Sequence, residues 1–590
     1  MHSSTFPPRT PALRALALAA LAGAGLGACQ SVTDLNESSP VSITPDKFYQ
    51  NDAQAQAAVN AAYAPLMGWT GWIQPAQHSV MCDDDQVSCE NWMGGTENGM
   101  YGGQWYAQNN AVWFGNYQIV ERANEVIANV PASAGITNAA KQQALGQAKF
   151  IRAYAYFDLV RRYGGVPLRT EPYTPDTRLG AQARAPIDSV WRQITADLTQ
   201  AAEALPATFD PTTGQGLPRK ASAYGLLAKV YMHMAGAEAE GSSLAANRNA
   251  YLDSAAFAAR QVAQDATVAL EQNYMNLFDV NTQGASREVL FAVQGARVSG
   301  SGSNVVPFFA PAGDCSLAGG CGPAGPGFVT LRNDFVRSFD PDDARMRRGY
   351  TLASAWRSMP QSQSQYGGKE RRVIQYDSLS VLASRGLLVD TVNVGGDGWQ
   401  FNCAATRLWP GFYRLTLRDP SDPSKTVTDT TAIPRTHFTL KYIDRGNTGS
   451  EYGNKNNFII LRHADVLLLL AEAINERGGP NAEAIAAVNQ VRQRAGLPAL
   501  PSAATASQAA FREAIRAERG KELYAEFQRR FDLIRWGVYA APDGPMNRTT
   551  TNEFTTNPTV CRPRQAFQRL QPIPNAELAA NPQLSQNPGW

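Results

Sequence analysis

The sequence has 590 residues, with 53 Lys+Arg against 51 Asp+Glu, so its formal net charge is only +2. Its 44% hydrophobic content is enough to bury a core, which excludes a largely disordered chain. The balance of charge argues against a nucleic-acid partner, because binding to phosphates requires a surplus of Lys and Arg.

The first 28 residues are typical of an export signal. Basic residues precede the apolar run Ala15 to Leu26, and the small residues Gly27 and Ala28 follow it. Residues 26–29 (LGAC) resemble a bacterial lipobox, which predicts that Cys29 is lipidated after cleavage; an ordinary secretory signal with an unrelated Cys is the alternative. No later apolar run approaches the ~20 residues that span a bilayer, so we expect a lipid anchor.

Amphipathic helical patterns follow one another from Asp52 to about Asp265. In the clearest run, Ala139 to Tyr163, large apolar residues recur every three or four positions. The other candidates are Asp52 to Met67, Asn116 to Asn129, Ile187 to Leu205, Arg219 to Ala235 and Asn249 to Asp265. Residues 227–231 (LAKVY) and 470–474 (LAEAI) are similar to the first-helix core of a tetratricopeptide repeat. The patterns therefore predict irregular helix hairpins.

The stretch from Glu271 to about Asn457 has a different texture. It is Gly-rich, has few helical periods and contains short β-like runs at Glu288 to Val293 and Thr439 to Ile443. Helical patterns resume near residue 461 and include Ala482 to Arg494 and Gln508 to Trp536. We therefore predict a mainly α chain in which the helical regions pack as one body with an insert. Its segments are a signal peptide (1–28), an N-terminal helical region (29–270), a loop-rich, short-strand insert (271–457) and a C-terminal helical region (458–590).

The cysteines predict disulfides, because the export signal leads to an oxidising compartment. Of the 7 cysteines, those that remain after Cys29 are Cys82, Cys89, Cys315, Cys321, Cys403 and Cys561. The simplest scheme pairs them in chain order, but other pairings remain open. A structural zinc site is the rival, although the chain has no Cys-x2-Cys pair.

The segment between residues 69 and 113 combines tryptophans with amides and glycines. Flat rings suit the CH faces of sugars, and neighbouring amides bond hydroxyls. Trp113 begins a helical pattern, so we expect it in the core. The predicted ligand-binding residues are Trp69, Trp72, Trp92, Tyr101, Trp105 and Tyr106, with Trp399 and Trp409 of the insert facing them across a cleft. The alternative is that these rings only pack against the helices.

Signals for catalysis and for metal binding are weak. The chain lacks Gly-x-Ser-x-Gly, a P-loop and His-Glu-x-x-His, and its 5 His are scattered. Asp83, Asp84 and Asp85 could ligate Ca²⁺, but an acidic run is more often a solvated loop. We therefore expect that the protein is not an enzyme and binds no cofactor or metal. A carboxylate pair for glycoside hydrolysis stays open as an alternative, because such a pair is defined by its distance in space and not by sequence spacing.

Several motifs resemble the SusD/RagB family of outer-membrane nutrient-binding lipoproteins. They are FIILRHADVL (458–467), AEAINE (471–476), VNQVRQRAGL (488–497), IRAERGKEL (515–523), RFDLIRW (530–536), residues 148–168 and 333–345, Ile573-Pro574 and the closing Gln-Asn-Pro-Gly. Their charged residues mix both signs on apolar helices, which predicts ion pairs between helices. These residues are Arg462, Asp465, Glu472, Arg492, Arg494, Glu518, Arg519, Glu522, Asp532 and Arg535.

The resemblance implies a function in nutrient uptake. A family member would bind oligosaccharides and deliver them to a SusC-like TonB-dependent transporter, anchored by lipid at the outer membrane and exposed on the cell surface. A binder of peptides or other oligomers in the same role is the alternative, and a surface glycoside hydrolase is a third. The acidic residues that direct surface export in some members are missing after Cys29, where Gln30-Ser31-Val32 stands. Gln30 is also not the Asp of an inner-membrane retention signal.

Overall fold

The computed structural model divides the chain into two units, Met1–Tyr49 and Gln50–Trp590. It describes residues 45–67, 83, 85–89, 111–173, 182–208, 216–236, 242–295, 329–340, 342–346, 352–357, 372–375, 387–393, 400–409, 412–419, 422–429, 436–442, 455–547 and 564–590. The first unit contributes one short helix to this set, α1 (Pro45–Phe48). The structural description that follows concerns the second unit. None of the helices within the described ranges has the length and apolar character needed to cross a membrane.

The second unit is mainly helical, as the sequence predicts. Its first helices are α2 (Asp52–Tyr63), α3 (Ala111–Asn129), α4 (Asn138–Tyr163), α5 (Ile187–Ala204), α6 (Lys220–Met234) and α7 (Arg248–Ala263). The later ones are α8 (Asn333–Arg337), α9 (His463–Gly478), α10 (Ala482–Arg494), α11 (Gln508–Glu522), α12 (Arg529–Arg535) and α13 (Asn575–Ala580). Most bounds lie within a few residues of the predicted ones. One exception is α3, which starts before Asn116 because Val112 and Trp113 extend its buried stripe.

Side-chain caps explain where several helices begin. Thr137, Asn481 and Ser507 each accept a hydrogen bond from the backbone N–H three residues further on, which satisfies a donor that the helix leaves unpaired. Helix α4 ends at Gly164, whose φ of 74° suits glycine and stops the helix.

The prediction of one continuous helix from Gln508 to Trp536 is wrong. This segment is divided into α11 and α12, because Ala525 and Phe527 between them have φ values of 58° and 60°. This left-handed backbone is rare for residues with a Cβ and is held here by buried contacts. The carboxylate of Glu526 accepts hydrogen bonds from Arg462 and Lys441.

Within the described ranges, antiparallel strands form three sheets. The first has the order β1-β3-β10-β4-β5, with β1 (Val87–Cys89), β3 (Val329–Leu331), β10 (Thr436–Thr439), β4 (Leu352–Arg357) and β5 (Arg372–Gln375). The second pairs β2 (Val289–Val293) with β11 (Phe458–Arg462). The third is β6 (Leu387–Asn393), β7 (Gln400–Trp409), β8 (Phe412–Asp419) and β9 (Asp422–Asp429). The strand predicted at 288–293 is confirmed as β2. The one predicted at 439–443 is wrong, because after Thr439 the chain turns inward and buries Lys441 and Tyr442.

Helices from both sides of the insert pack together as one body. Helix α7 packs on α9, which also packs on α10 and α11, and α2 to α7 pack in chain order. The tetratricopeptide-like positions Ala228 and Ala471 are fully buried, where a small side chain allows neighbouring helices to approach closely.

The charged motif residues form buried ion pairs, which confirms their structural interpretation. The Glu522 carboxylate lies 2.9 Å from Arg345 and 2.5 Å from Arg462, and it also pairs with Arg494. Burial alone would raise the pKa of Glu522, but these guanidinium groups hold that pKa well below its usual value.

A second buried group of charges joins α6 to α9, α11 and α12. Asp465 pairs with Lys229 and Arg519, both at 2.9 Å, and Asp532 pairs with Arg519 at 3.0 Å. The remaining charged motif residues are also paired. Their ion pairs are Arg535–Glu472, Arg535–Asp532, Arg494–Glu288, Arg492–Glu518 and Arg345–Glu518. We call both groups together the ion-pair network.

Candidate functional site

Most predicted site residues lie outside the residues that the structure describes. They are Cys29, Trp69, Trp72, Cys82, Trp92, Tyr101, Trp105, Tyr106, Cys315, Cys321, Trp399 and Cys561. Only the backbones of Cys89, Cys403 and Trp409 are described; they lie in β1 and β7, opposite Val329, Asp390 and Phe412 respectively. The lipidation site, the disulfides and the tryptophan platform therefore remain predictions.

Asp83 and Asp85 are bound by arginines of the C-terminal region. The Asp83 carboxylate accepts hydrogen bonds from Arg530 at 2.6 Å and Arg564 at 2.8 Å, and Arg529 donates to Asp85 at 2.7 Å. Burial would raise the pKa of Asp83, but Arg564 and Arg530 hold it below its usual value. A cation at these carboxylates would be repelled by the guanidinium groups, so this arrangement opposes the calcium interpretation for both residues. Asp84 lies outside the described residues.

These ion pairs fasten residues 83–89 to the helical body. The side-chain amide of Gln86 donates to the carbonyl of Gly520 at 2.8 Å, so closely that a Cβ at Gly520 would lie 2.9 Å from that amide. Strand β1 then pairs with β3, with Val87 opposite Leu331. The middle of the predicted tryptophan-rich segment is thus attached both to the C-terminal helices and to the insert.

A cavity of about 440 Å³, which we call the cleft, lies beside α3, close to the end of that segment. From α3 it is lined by Trp113, Phe114, Tyr117, Gln118, Glu121 and Arg122. Its other walls are Pro167, Arg169 and Tyr173, which follow α4, and Glu577, Asn581 and Leu584 of the C-terminal segment. Its volume falls in the range of about 300–1,000 Å³ that is usual for small-molecule sites.

One wall of the cleft is aromatic. Trp113 is buried, as predicted, with its ring centroid 5.2 Å from that of Tyr117 and 5.1 Å from that of Tyr163. Phe114, the next residue, is 54% exposed. Our sequence analysis missed Phe114, although a large apolar residue beside the buried stripe of a helix is a detectable signal.

The cleft is also lined by Arg169, whose guanidinium lies near two tyrosine rings. Its central carbon lies 4.3 Å from the ring centroid of Tyr173 and 5.7 Å from that of Tyr117. Its Nε donates to the Gln182 side-chain oxygen at 3.2 Å. The two terminal nitrogens of Arg169 donate no hydrogen bond to any residue that the structure describes. The guanidinium also forms no ion pair with those residues.

Two carboxyl groups also line the cleft. One oxygen of Glu121 accepts the backbone N–H of Tyr173 at 2.8 Å. Glu577 is half-buried, and this burial raises its pKa, although a hydrogen bond from the Trp113 side chain and the charge of Arg169 act in the opposite direction. The cleft thus offers both hydrogen-bond donors and acceptors.

The walls of the cleft are held by buried side chains. The Tyr156 hydroxyl donates to the Arg169 carbonyl at 2.7 Å and accepts the Arg169 backbone N–H at 2.6 Å. The Asn124 amide donates to the carbonyl of Glu171 at 3.0 Å, and the Asn581 amide to that of Gln182 at 2.9 Å. A site built in this way is preformed, so a ligand pays little to order it. Its mixture of exposed ring, amides and charged groups is typical of a site for a hydroxyl-rich ligand.

Across the described ranges, no group of three or more His, Cys, Asp or Glu side chains is arranged to hold a metal ion.

Comparisons with known proteins give one consistent result. A family profile described as "SusD family" matches residues 391–590, and one described as "Starch-binding associating with outer membrane" matches residues 34–232. The chain is 26% identical to the SusD-like protein P2 of Formosa agariphila, over 95% of this chain and 96% of that protein.

Solved structures share the fold. A SusD homolog from Bacteroides thetaiotaomicron has a TM-score of 0.69 at 22% identity, with 92% of this chain and 98% of that chain covered. Surface glycan-binding protein A from the same organism, solved in complex with laminarihexaose, has a TM-score of 0.62 at 19% identity, with 91% of this chain and 99% of that chain covered.

Proposed function

Because the chain belongs to the SusD/RagB family, we propose that it binds oligosaccharides and delivers them to a SusC-like TonB-dependent transporter as an outer-membrane lipoprotein. The observation that carries the binding role is the cleft, in which the exposed ring of Phe114 stands beside amides, carboxyl groups and a guanidinium. The laminarihexaose complex of a protein with the same fold supports this ligand class.

The lining suits a sugar ring for two physical reasons. The CH face of a pyranose packs on an aromatic ring, and Phe114 presents such a face at low ordering cost because it has only two rotatable side-chain bonds. Sugar hydroxyls both donate and accept, and Gln118, Asn581 and Glu577 offer both kinds of partner. The volume of about 440 Å³ accommodates the end of an oligosaccharide.

The predicted tryptophan-rich segment extends this proposal to longer chains. Helix α3, which carries Phe114, begins at residue 111 within that segment, so we propose Trp105 and Tyr106 as further sugar-binding residues. Trp399 and Trp409 of the insert complete the proposed set of sugar-binding rings.

Replacing the exposed ring tests the binding role. In Phe114→Ala we expect the dissociation constant for a bound oligosaccharide to rise about fivefold, as measured by calorimetry, because a ring contact contributes roughly 1 kcal/mol. Phe257→Ala is the matched control, since Phe257 is 57% exposed but lies on α7. Equal affinity in both variants would remove the cleft from the proposal. A wild-type protein that binds peptides but no oligosaccharide would favour the alternative ligand class.

The anchor and the transporter have their own tests. Cys29→Ser should move the protein from the outer-membrane fraction to the soluble fraction, because stable anchoring needs two or more acyl chains. Anchoring would keep a captured ligand at high local concentration above the transporter. Purification of the native protein in mild detergent should co-isolate a TonB-dependent β-barrel, and its consistent absence would count against the delivery role.

A further inference from the structure

Arg169, which is partly buried, differs from the fully buried arginines among the described residues in what its terminal nitrogens contact. Arg152, on the neighbouring helix α4, illustrates the usual case: its guanidinium lies 2.7 Å from the carboxylate of Asp197. Arg184, also near the cleft, donates to the carbonyls of Gly165 and Tyr163 at 2.6 and 2.7 Å. For Arg169, the described residues supply no partner to either terminal nitrogen, although the residue lines a cavity.

The guanidinium is nevertheless fixed in place. It stacks on Tyr173, its Nε is bonded to Gln182, and the Tyr156 hydroxyl holds the backbone of Arg169 on both sides. Such a group keeps its orientation without a ligand, so less side-chain freedom is lost when a ligand binds. Its remaining N–H groups form a planar fork that matches two oxygens of a carboxylate or of a sulfate ester.

We propose that the cleft selects an acidic oligosaccharide, with Arg169 as the residue that binds the carboxylate or sulfate group of the sugar. This inference rests on the proposed function and names the ligand class of the same site. Phe114 and Tyr117 would hold the ring, and Arg169 would read its charged substituent. Arg169 is then a specificity-determining residue, because a neutral sugar can use the ring contacts but not a charge-assisted pair.

The other charges of the cleft are compatible with an anion. Arg122 adds a second positive charge; its side chain reaches back to α2, where it donates to the Ala61 carbonyl at 2.8 Å. Glu121 is negative, but it accepts the Tyr173 backbone N–H. Glu577 is the carboxyl group whose repulsion an acidic ligand must overcome, and its raised pKa lets it take up a proton as the anion enters.

The proposal therefore gives a sign for the effect of pH. Burial raises the pKa of Glu577, and its protonation removes a repulsion, so affinity for a sulfated oligosaccharide, whose sulfate stays charged, should increase as the pH falls. In Glu577→Gln this dependence should become flatter. Arg169, Arg122 and Glu121 are the other charged groups that line the cleft.

The test compares oligomers with one sugar skeleton and three chemistries: neutral galactose, galacturonic acid and sulfated galactose. We expect at least one acidic series to bind about tenfold more tightly than the neutral series, since charge-assisted hydrogen bonds are stronger than neutral ones. Its affinity should also fall as salt is added. Preference for galacturonate or for sulfated galactose identifies which acidic group the cleft takes, and either result supports the proposal.

Variants separate recognition from folding. Arg169→Gln should reduce the acidic preference about tenfold and leave binding of the neutral oligomer within about twofold, whereas Arg169→Lys should retain part of the preference. Arg477→Gln, which removes an exposed arginine of α9 paired with Asp253, is the control and should change neither. Equal or tighter binding of neutral galactose by the wild type overturns this inference and leaves the proposed function intact. Binding of no oligosaccharide in a broad panel overturns the proposed function itself.

Discussion

The ion-pair network and the cleft use arginine in opposite ways. In the network, Arg462 is fully surrounded by carboxylates, with Glu288, Glu522 and Glu526 all within 2.8 Å. In the cleft, Arg169 lies on tyrosine rings and forms no ion pair with any described residue. A fully paired arginine of the scaffold has no donors left for a ligand, whereas a fixed, partly exposed arginine with unused donors can bind one.

This difference explains why family motifs say little about the ligand. The motifs of the C-terminal helices coincide with the network, which joins α9, α11 and α12 to α6 through Lys229 and Asp465. The cleft is formed largely by other segments, those around residues 111–122, 167–173 and 577–584. These motifs therefore report on the scaffold, and the ligand must be inferred from the cleft.

Removal of one network carboxylate should give the largest effect on stability. Glu522→Gln keeps the shape of the side chain but leaves Arg345, Arg462 and Arg494 with less compensating charge in a buried site. We expect the free energy of unfolding in urea to fall by about 3–5 kcal/mol. Glu483→Gln removes half of the exposed Arg260–Glu483 pair and should cost less than about 1 kcal/mol. Similar losses in the two variants would show that burial of the pairs is not what makes the network important.

Acid should weaken the scaffold before it affects the buried carboxylates. Burial lowers the pKa of His463 to about 4, whereas in the unfolded chain it is about 6.5. The stability that depends on neutral His463 is thus present above pH 6.5 and lost as the pH falls towards 4. Between pH 7 and pH 5 the loss should be about 2 kcal/mol, measured as the free energy of unfolding at each pH.

His463→Gln supplies the control for this pH dependence. The variant should lose that part of the slope, and His233, whose pKa burial also lowers, should account for a further part. The buried carboxylates, whose pKa values the arginines lower, should contribute mainly below about pH 5, where the unfolded chain begins to bind protons. A slope between pH 7 and pH 5 that is identical in the variant and the wild type would contradict the assignment.

Substitution of the cleft arginine should have the smallest effect on stability. Arg169→Gln removes a cation–π contact and the bond to Gln182, so we expect the free energy of unfolding to change by less than about 1 kcal/mol. Chemical denaturation of this variant beside Glu522→Gln would measure the contrast directly. A loss as large as that of Glu522→Gln would mean that Arg169 belongs to the scaffold.

Local sequence patterns predicted the helices well because amphipathic spacing is a local property. The same patterns predicted that the charged motif residues form ion pairs. They did not identify all the partners, because Lys229, Glu288 and Arg345 are distant in the chain from the residues that they pair with. The break between α11 and α12 was missed because positive φ at Ala525 and Phe527 depends on buried tertiary contacts of Glu526.

The cleft was missed for the same reason. Its walls come from three segments that are far apart in sequence, and only the fold brings Phe114, Arg169 and Glu577 to one cavity. Composition drew attention to the tryptophan-rich segment that ends where α3 begins, and its role stays a prediction. The sequence does contain one signal for this site, which is Phe114, a large apolar residue next to the buried stripe of α3.

The most direct test of the central claim, that the cleft binds an oligosaccharide through Phe114 and Arg169, is a crystal structure with the tightest-binding acidic oligomer. We predict one sugar ring packed against the face of Phe114, with its carboxylate or sulfate oxygens about 2.7–2.9 Å from the terminal nitrogens of Arg169. A sugar bound elsewhere on the protein, with the cleft holding only solvent, would contradict the account.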